Sequence, residues 1–138
     1  MCPLKGKTPA DINFAVVREN TEGEYTQIGG ILKKGSPDEV ATSTSIYTRV
    51  GIERAVRYAF ELARSRASAS NKPGHLTLVD KANAIRPQEI WTRVFAEVGK
   101  DYPDIKQDHA YVDAFAMLMI QKPEYYDTIV TTNLYGDI

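Results

Sequence analysis

The chain has 138 residues, with 17 Lys+Arg against 18 Asp+Glu and a net charge of -1. That length suits one domain able to bury its own core, and the near-neutral balance removes the electrostatic case for nucleic acid or an anionic membrane as partner. A single cysteine, Cys2, excludes an intramolecular disulfide framework and fits a reducing, cytoplasmic setting, and no apolar run reaches the length of a membrane span.

Met1 to Lys7 lacks the apolar centre of a signal peptide. Ile12 to Val17 is short, apolar and rich in β-branched residues, which predicts a strand. Arg18 to Tyr25 is polar with one glycine and reads as a loop. Gly29-Gly30 and Gly35-Ser36-Pro37 then punctuate two strands of a protruding hairpin, Ile31-Leu32 and Glu39 to Tyr47. The second of these has too little apolar surface for a core and suits an arm laid on another subunit. Thr48 is a natural N-cap, and Ile52, Ala55, Val56, Ala59, Phe60 and Ala63 follow at helical spacing. Ser65 to Gly74 reads as a polar linker, and His75 to Asp80 as a buried strand. Pro87 suits a first helical turn, with Ile90, Trp91, Val94, Phe95 and Val98 forming the apolar side of a second helix that ends near Gly99. Ile105 to Val112 predicts a strand and Asp113 to Gln121 a third helix, apolar on every side and therefore expected to be buried on every side, in part by a partner chain. Pro123 marks a break, and Asp127 to Thr132 predicts the last strand. It runs into a loop at Ile138 that reads as cut. Strands alternating with helices argue for a layered α/β domain spanning residues 1–138.

Asp80, Asp113 and Asp137 fall at the C-terminal ends of predicted strands, the edge where α/β sheets bind ligands. Carboxylates converging there suit a hard divalent cation, whereas single aspartates equally cap helices and start turns. Arg18, just after a strand, has the geometry to clamp a carboxylate or to join a surface ion pair. Tyr25 is a candidate acid and Lys81 a candidate base; otherwise they are a packed aromatic and a solvated amine. His75 and His109 lack metal-ligand spacing, and the glycines form neither a dinucleotide nor a phosphate-loop signature.

Four stretches carry a resemblance. Val16-Val17-Arg18-Glu19-Asn20-Thr21-Glu22-Gly23-Glu24-Tyr25 resembles the substrate-loop motif of the isocitrate and 3-isopropylmalate dehydrogenase family. Val79-Asp80-Lys81-Ala82-Asn83 resembles its lysine motif, Tyr111 to Met117 its metal-ligand helix, and Asn133-Leu134-Tyr135-Gly136-Asp137-Ile138 the start of its second metal motif. They stand in family order and spacing. Thr26-Gln27-Ile28-Gly29-Gly30 is most similar to tartrate and D-malate dehydrogenases, and Asp80 to Asn83 to isopropylmalate dehydrogenase.

The resemblance implies the family's α/β fold with a protruding β arm and helices for dimerisation. It also implies NAD-linked oxidative decarboxylation of a malate-type 2-hydroxyacid. Arg18 would clamp the substrate carboxylate, Tyr25 would be the acid and Lys81 the base. Asn83 would lie beside the nicotinamide, and Asp113 and Asp137 would ligate Mg²⁺ or Mn²⁺. Lys81 and Asp113 would serve the site of a second copy, making the active species a homodimer with shared sites. The family's glycine-rich first segment, arginine-rich substrate helix and adenosine-binding loop are missing from this sequence, so the chain by itself is expected to be inactive. Isocitrate and homoisocitrate remain open as substrates, and a non-catalytic regulatory or dimerisation subunit remains the alternative of another class.

Overall fold

A computed structural model describes residues 4–138, so Cys2 lies outside the described residues. Among the described residues six strands form two sheets, accompanied by three long helices. The main sheet joins β1 (Ala15–Arg18), β6 (Thr128–Thr131), β4 (Gly74–Asp80) and β5 (Ile105–Tyr111), in that order and all parallel. Every residue of β4 is buried, as a central parallel strand covered on both faces should be.

The period-two alternation of a strand sorts the core into two halves. Leu76 and Leu78 point to the face covered by α1 (Arg49–Ser70) and α2 (Glu89–Val98), where they join Ile52, Val56, Phe60, Trp91, Val94 and Val130. The Phe60 ring stacks on Tyr102 with centroids 4.6 Å apart and on Phe95 at 5.3 Å. Val79 points to the opposite face, where it meets Ile129, Tyr126 and Phe115 of α3 (Val112–Gln121).

The second sheet is a hairpin of β2 (Gly23–Leu32) and β3 (Val40–Ile46), antiparallel, with a register irregularity between Gly23 and Ile28. Gly29 has φ 147°, and a Cβ there would stand 2.1 Å from the Thr42 carbonyl oxygen, so only glycine lets the strands close.

Three boundaries differ from the sequence reading. β1 starts at Ala15 rather than Ile12. β2 begins at Gly23, inside the stretch read as a loop, because backbone pairing with β3 sets the strand without an apolar face. α1 runs through the expected linker to Ser70. There the Ser68 and Ser70 hydroxyls donate back to the carbonyls of Arg64 and Arg66, and Asn71, in the left-handed conformation, ends the helix. Within one chain α3 buries only Phe115, while Met117 and Ile120 are more than half exposed, which leaves open the side of the helix assigned to a partner chain. Among the described residues no helix is long and apolar enough to cross a membrane.

Because all four strands of the main sheet run parallel, Arg18, Asp80, Tyr111 and Thr131 end at one edge. The segments that follow them emerge there together.

Candidate active site

Arg18, the last residue of β1, reaches across the sheet edge to the short 3-10 turn Leu134–Asp137 that follows β6. Its Nη1 lies 2.5 Å from Asp137 Oδ1 and its Nη2 2.9 Å from Oδ2, a two-pronged ion pair. Nε and Nη2 also donate to Asn133 Oδ1 at 3.0 and 2.7 Å, and Asn133 Nδ2 in turn donates to the Glu22 carbonyl. Gly136 makes room for the guanidinium stem: a Cβ there would sit 2.4 Å from Arg18 Cδ. The Tyr25 hydroxyl donates to Asp137 Oδ2 at 2.7 Å. This bond and the smaller opposing and reinforcing effects around it leave the Tyr25 phenol above its ordinary value and the Asp137 carboxyl below its own. For Asp137 the Tyr25 hydrogen bond acts most strongly, with Arg18 adding to it.

A second pair stands where β4 and β5 end. Asp80 and Tyr111 are register partners, so the residue after the first and the first helical turn after the second are neighbours. Lys81 Nζ lies 2.5 Å from Asp113 Oδ1, and that hydrogen bond is the main cause of the lowered Asp113 pKa. Asn83 is exposed in the turn beyond Lys81, with no side-chain hydrogen bond among the described residues.

The structure therefore brings Arg18, Tyr25 and Asp137 together, and Lys81 and Asp113 together. Among the described residues no three His, Cys, Asp or Glu side chains converge as a metal site. The donor chemistry of Asp113 and Asp137 fits a hard divalent cation, each carboxyl being held below its ordinary pKa chiefly by a hydrogen bond from a neighbouring side chain. Asp80 is not a ligand candidate: it is fully buried, accepting from the Ala82 amide and from His109. His75 is tied to Asp108. Two further residues at this edge escaped the sequence reading. Asn133 orients Arg18, and Gln88, fully buried, contacts several of the segments that carry the site. A lone amide in a polar turn gives no signal in sequence.

The full length of the chain, residues 1–138, matches the family model described as isocitrate/isopropylmalate dehydrogenase. The chain belongs to this family. It is 49% identical over 138 residues to the 3-isopropylmalate dehydrogenase of Thermobifida fusca (strain YX), covering 99% of this chain and 37% of that protein. It is 46% identical over 137 residues to a probable tartrate dehydrogenase/decarboxylase of Agrobacterium vitis, covering 99% and 37%. Its fold superimposes on the crystal structure of isocitrate dehydrogenase from Methylococcus capsulatus with a TM-score of 0.81 and 40% identity, over 91% of this chain and 36% of that one. The chain thus spans little more than a third of the length of these relatives. The isocitrate/isopropylmalate dehydrogenase fold accounts for the parallel sheet, the hairpin and the strand edge at which the charged pairs meet.

Proposed function

We propose that this chain is the substrate- and metal-binding portion of an NAD-linked 2-hydroxyacid oxidative decarboxylase, acting on tartrate or D-malate or on 3-isopropylmalate, with sites shared between two copies in the cytoplasm. The observation that carries this reading is the convergence of Arg18, Tyr25 and Asp137 at the C-terminal edge of a parallel sheet. Membership of the family and the names of the relatives support the reaction type.

The chemistry needs a clamp, a base and an acid. Arg18 leaves Asp137 to hold the substrate carboxylate with both guanidinium prongs. Lys81 of the second copy, as the free amine, takes the hydroxyl proton as the carbon–hydrogen bond breaks. When bound, Mg²⁺ or Mn²⁺ on Asp137 and on Asp113 of the second copy supplies Lewis acidity toward the hydroxyl, and NAD supplies the hydride acceptor. Carbon dioxide then leaves, its bonding electron pair stays on the substrate carbon, and the Tyr25 hydroxyl delivers a proton there. Asn83, exposed beside Lys81, is the nicotinamide neighbour in this reading. The open side of α3 is where the second copy packs.

The test is a chimera in which this chain replaces the matching segment of the Thermobifida fusca enzyme. With NAD and Mn²⁺ it is expected to make NADH from D-malate, D-tartrate or 3-isopropylmalate, and Lys81→Met is expected to lower the rate by roughly 10²- to 10⁴-fold. Turnover of isocitrate alone moves the substrate assignment. A folded chimera silent on all four acids overturns the enzymatic reading. The chain by itself is expected to make no NADH, and NADH from it alone overturns that expectation.

A further inference from the structure

We propose that Asn133 is the positioning residue that keeps the end of the Arg18 guanidinium turned toward the substrate carboxylate once Arg18 has let go of Asp137. The inference rests on the functional reading above, in which Arg18, Tyr25 and Asp137 of one chain belong to one site, and adds a residue to that site. Asn133 opens the 3-10 turn Leu134–Asp137 and is buried, 5% exposed. An asparagine at that position ordinarily caps its own turn, but Asn133 makes no such bond. Its amide is engaged elsewhere. Nδ2 donates to the Glu22 carbonyl at 2.7 Å, and because a carbonyl only accepts, that contact fixes which end of the amide is oxygen. Oδ1 therefore faces Arg18.

A planar guanidinium has two edges that can grip a carboxylate: a side edge, made of Nε and one terminal nitrogen, and an end edge, made of both terminal nitrogens. Asn133 Oδ1 takes the side edge, accepting from Nε at 3.0 Å and from Nη2 at 2.7 Å. The end edge faces the two oxygens of Asp137, which mark where an incoming carboxylate would be gripped. The rest of Arg18 is confined as well. A Cβ at Gly136 would stand 2.4 Å from Arg18 Cδ and 2.5 Å from Cγ, so the turn backbone lies close against the stem. Asn133 is itself held against the start of β2, where a Cβ at Gly23 would meet the Asn133 Cβ at 3.4 Å. None of this support comes from the Asp137 carboxylate. When Arg18 exchanges Asp137 for substrate, the stem and the side edge keep their partners and the end edge alone changes its own. The amide also suits the task by charge: being neutral, it leaves the guanidinium its full positive charge for the substrate, which a carboxylate at position 133 would cancel.

Three measurements decide it. In the chain itself, the Arg18 Nε–H is expected to exchange slowly with solvent by NMR in wild type and fast in Asn133→Ala. In the chimera, Asn133→Ala is expected to raise KM for the hydroxyacid by about 10-fold, the scale of one lost charge-assisted hydrogen bond. Its kcat is expected to stay within about threefold, as the clamp grips ground state and transition state alike. Placed on Arg18→Lys, whose ammonium has no side edge to hold, Asn133→Ala is expected to change KM by no more than about twofold. Asn133→Asp keeps the size and the acceptor and serves where Asn133→Ala does not fold: its Nε–H is expected to stay slow while KM still rises, because the new carboxylate neutralises the clamp. A fast-exchanging Nε–H in wild type overturns the proposal. So does an unchanged KM in the folded variants, a fall in kcat as large as the rise in KM, or an Asn133→Ala effect as large on Arg18→Lys as on wild type. A wild-type chimera that makes no NADH brings down the functional reading instead, and the Nε–H exchange then still decides whether Asn133 holds Arg18.

Discussion

The two faces of the main sheet differ in how far one chain completes them. Under α1 and α2, the side chains of Ile52, Phe60, Leu76, Trp91 and Val94 are shut away entirely, and the aromatic stack of Phe60, Phe95 and Tyr102 fills the centre. Under α3, Val79, Ile129, Tyr126 and Phe115 form a smaller cluster, and the helix turns Met117 and Ile120 outward, 54% and 55% exposed. Both α2 and α3 carry apolar side chains toward the sheet, yet only the face under α1 and α2 is finished internally. An apolar helix thus reports that burial is needed, not which chain supplies it.

This contrast gives predictions of decreasing size. On the closed face, Phe60→Ala leaves a cavity with rigid walls and is expected to cost about 3–5 kcal/mol of unfolding free energy in urea titration. A loss under 1 kcal/mol would mean that this core is looser than its burial indicates. On the open face, Met117→Lys is expected to change the unfolding free energy of the monomer by no more than about 0.5 kcal/mol, while the wild-type chain runs as a dimer in light scattering and the variant does not. A monomeric wild type at high concentration would sever the open face from the shared-site proposal. At the edge between the faces, the effect is on titration rather than on stability. The lowered Asp137 pKa means that the contact with Arg18 and Tyr25 is fully present above the ordinary carboxyl value and is lost as pH falls through the lowered one. The Asp137 carboxyl signal in NMR is therefore expected to titrate below 3.8. Asp137→Asn is expected to bring the Tyr25 phenol down toward 10.0 in ultraviolet titration; an unmoved phenol would show that the hydrogen bond does not persist in solution.

Much of this architecture was legible because its signals are local. Val79 and Leu78 sit in a short apolar strand, and Ile52 to Ala63 repeat at helical spacing. Both segments form the predicted elements, and Asp80, which ends the strand, stands at the predicted sheet edge. The unread parts depend on partners far away in sequence. Arg18 meets Asp137, 119 positions on, rather than Glu19 or Glu22, because parallel pairing of β1 with β6 carries both to one edge. β2 was unreadable from Gly23 to Gly30, since its strand is made by the β3 backbone and not by its own side chains. Gln88 was invisible because a single amide becomes informative only once four segments close around it.

The irregular register between Gly23 and Ile28 has a mechanical consequence. Below it, the root of the hairpin is anchored: Gly23 lies against Asn133, Glu24 is tied to Tyr47 and Gln88, and Tyr25 reaches Asp137. Above it, from Ile28 to Leu32 and back from Val40, the strands touch little but each other. Gln27, at φ 54°, sits at the joint. The joint separates an exposed arm from an anchored root, so the place of the Tyr25 phenol is set by contacts at the root and not by those of the tip.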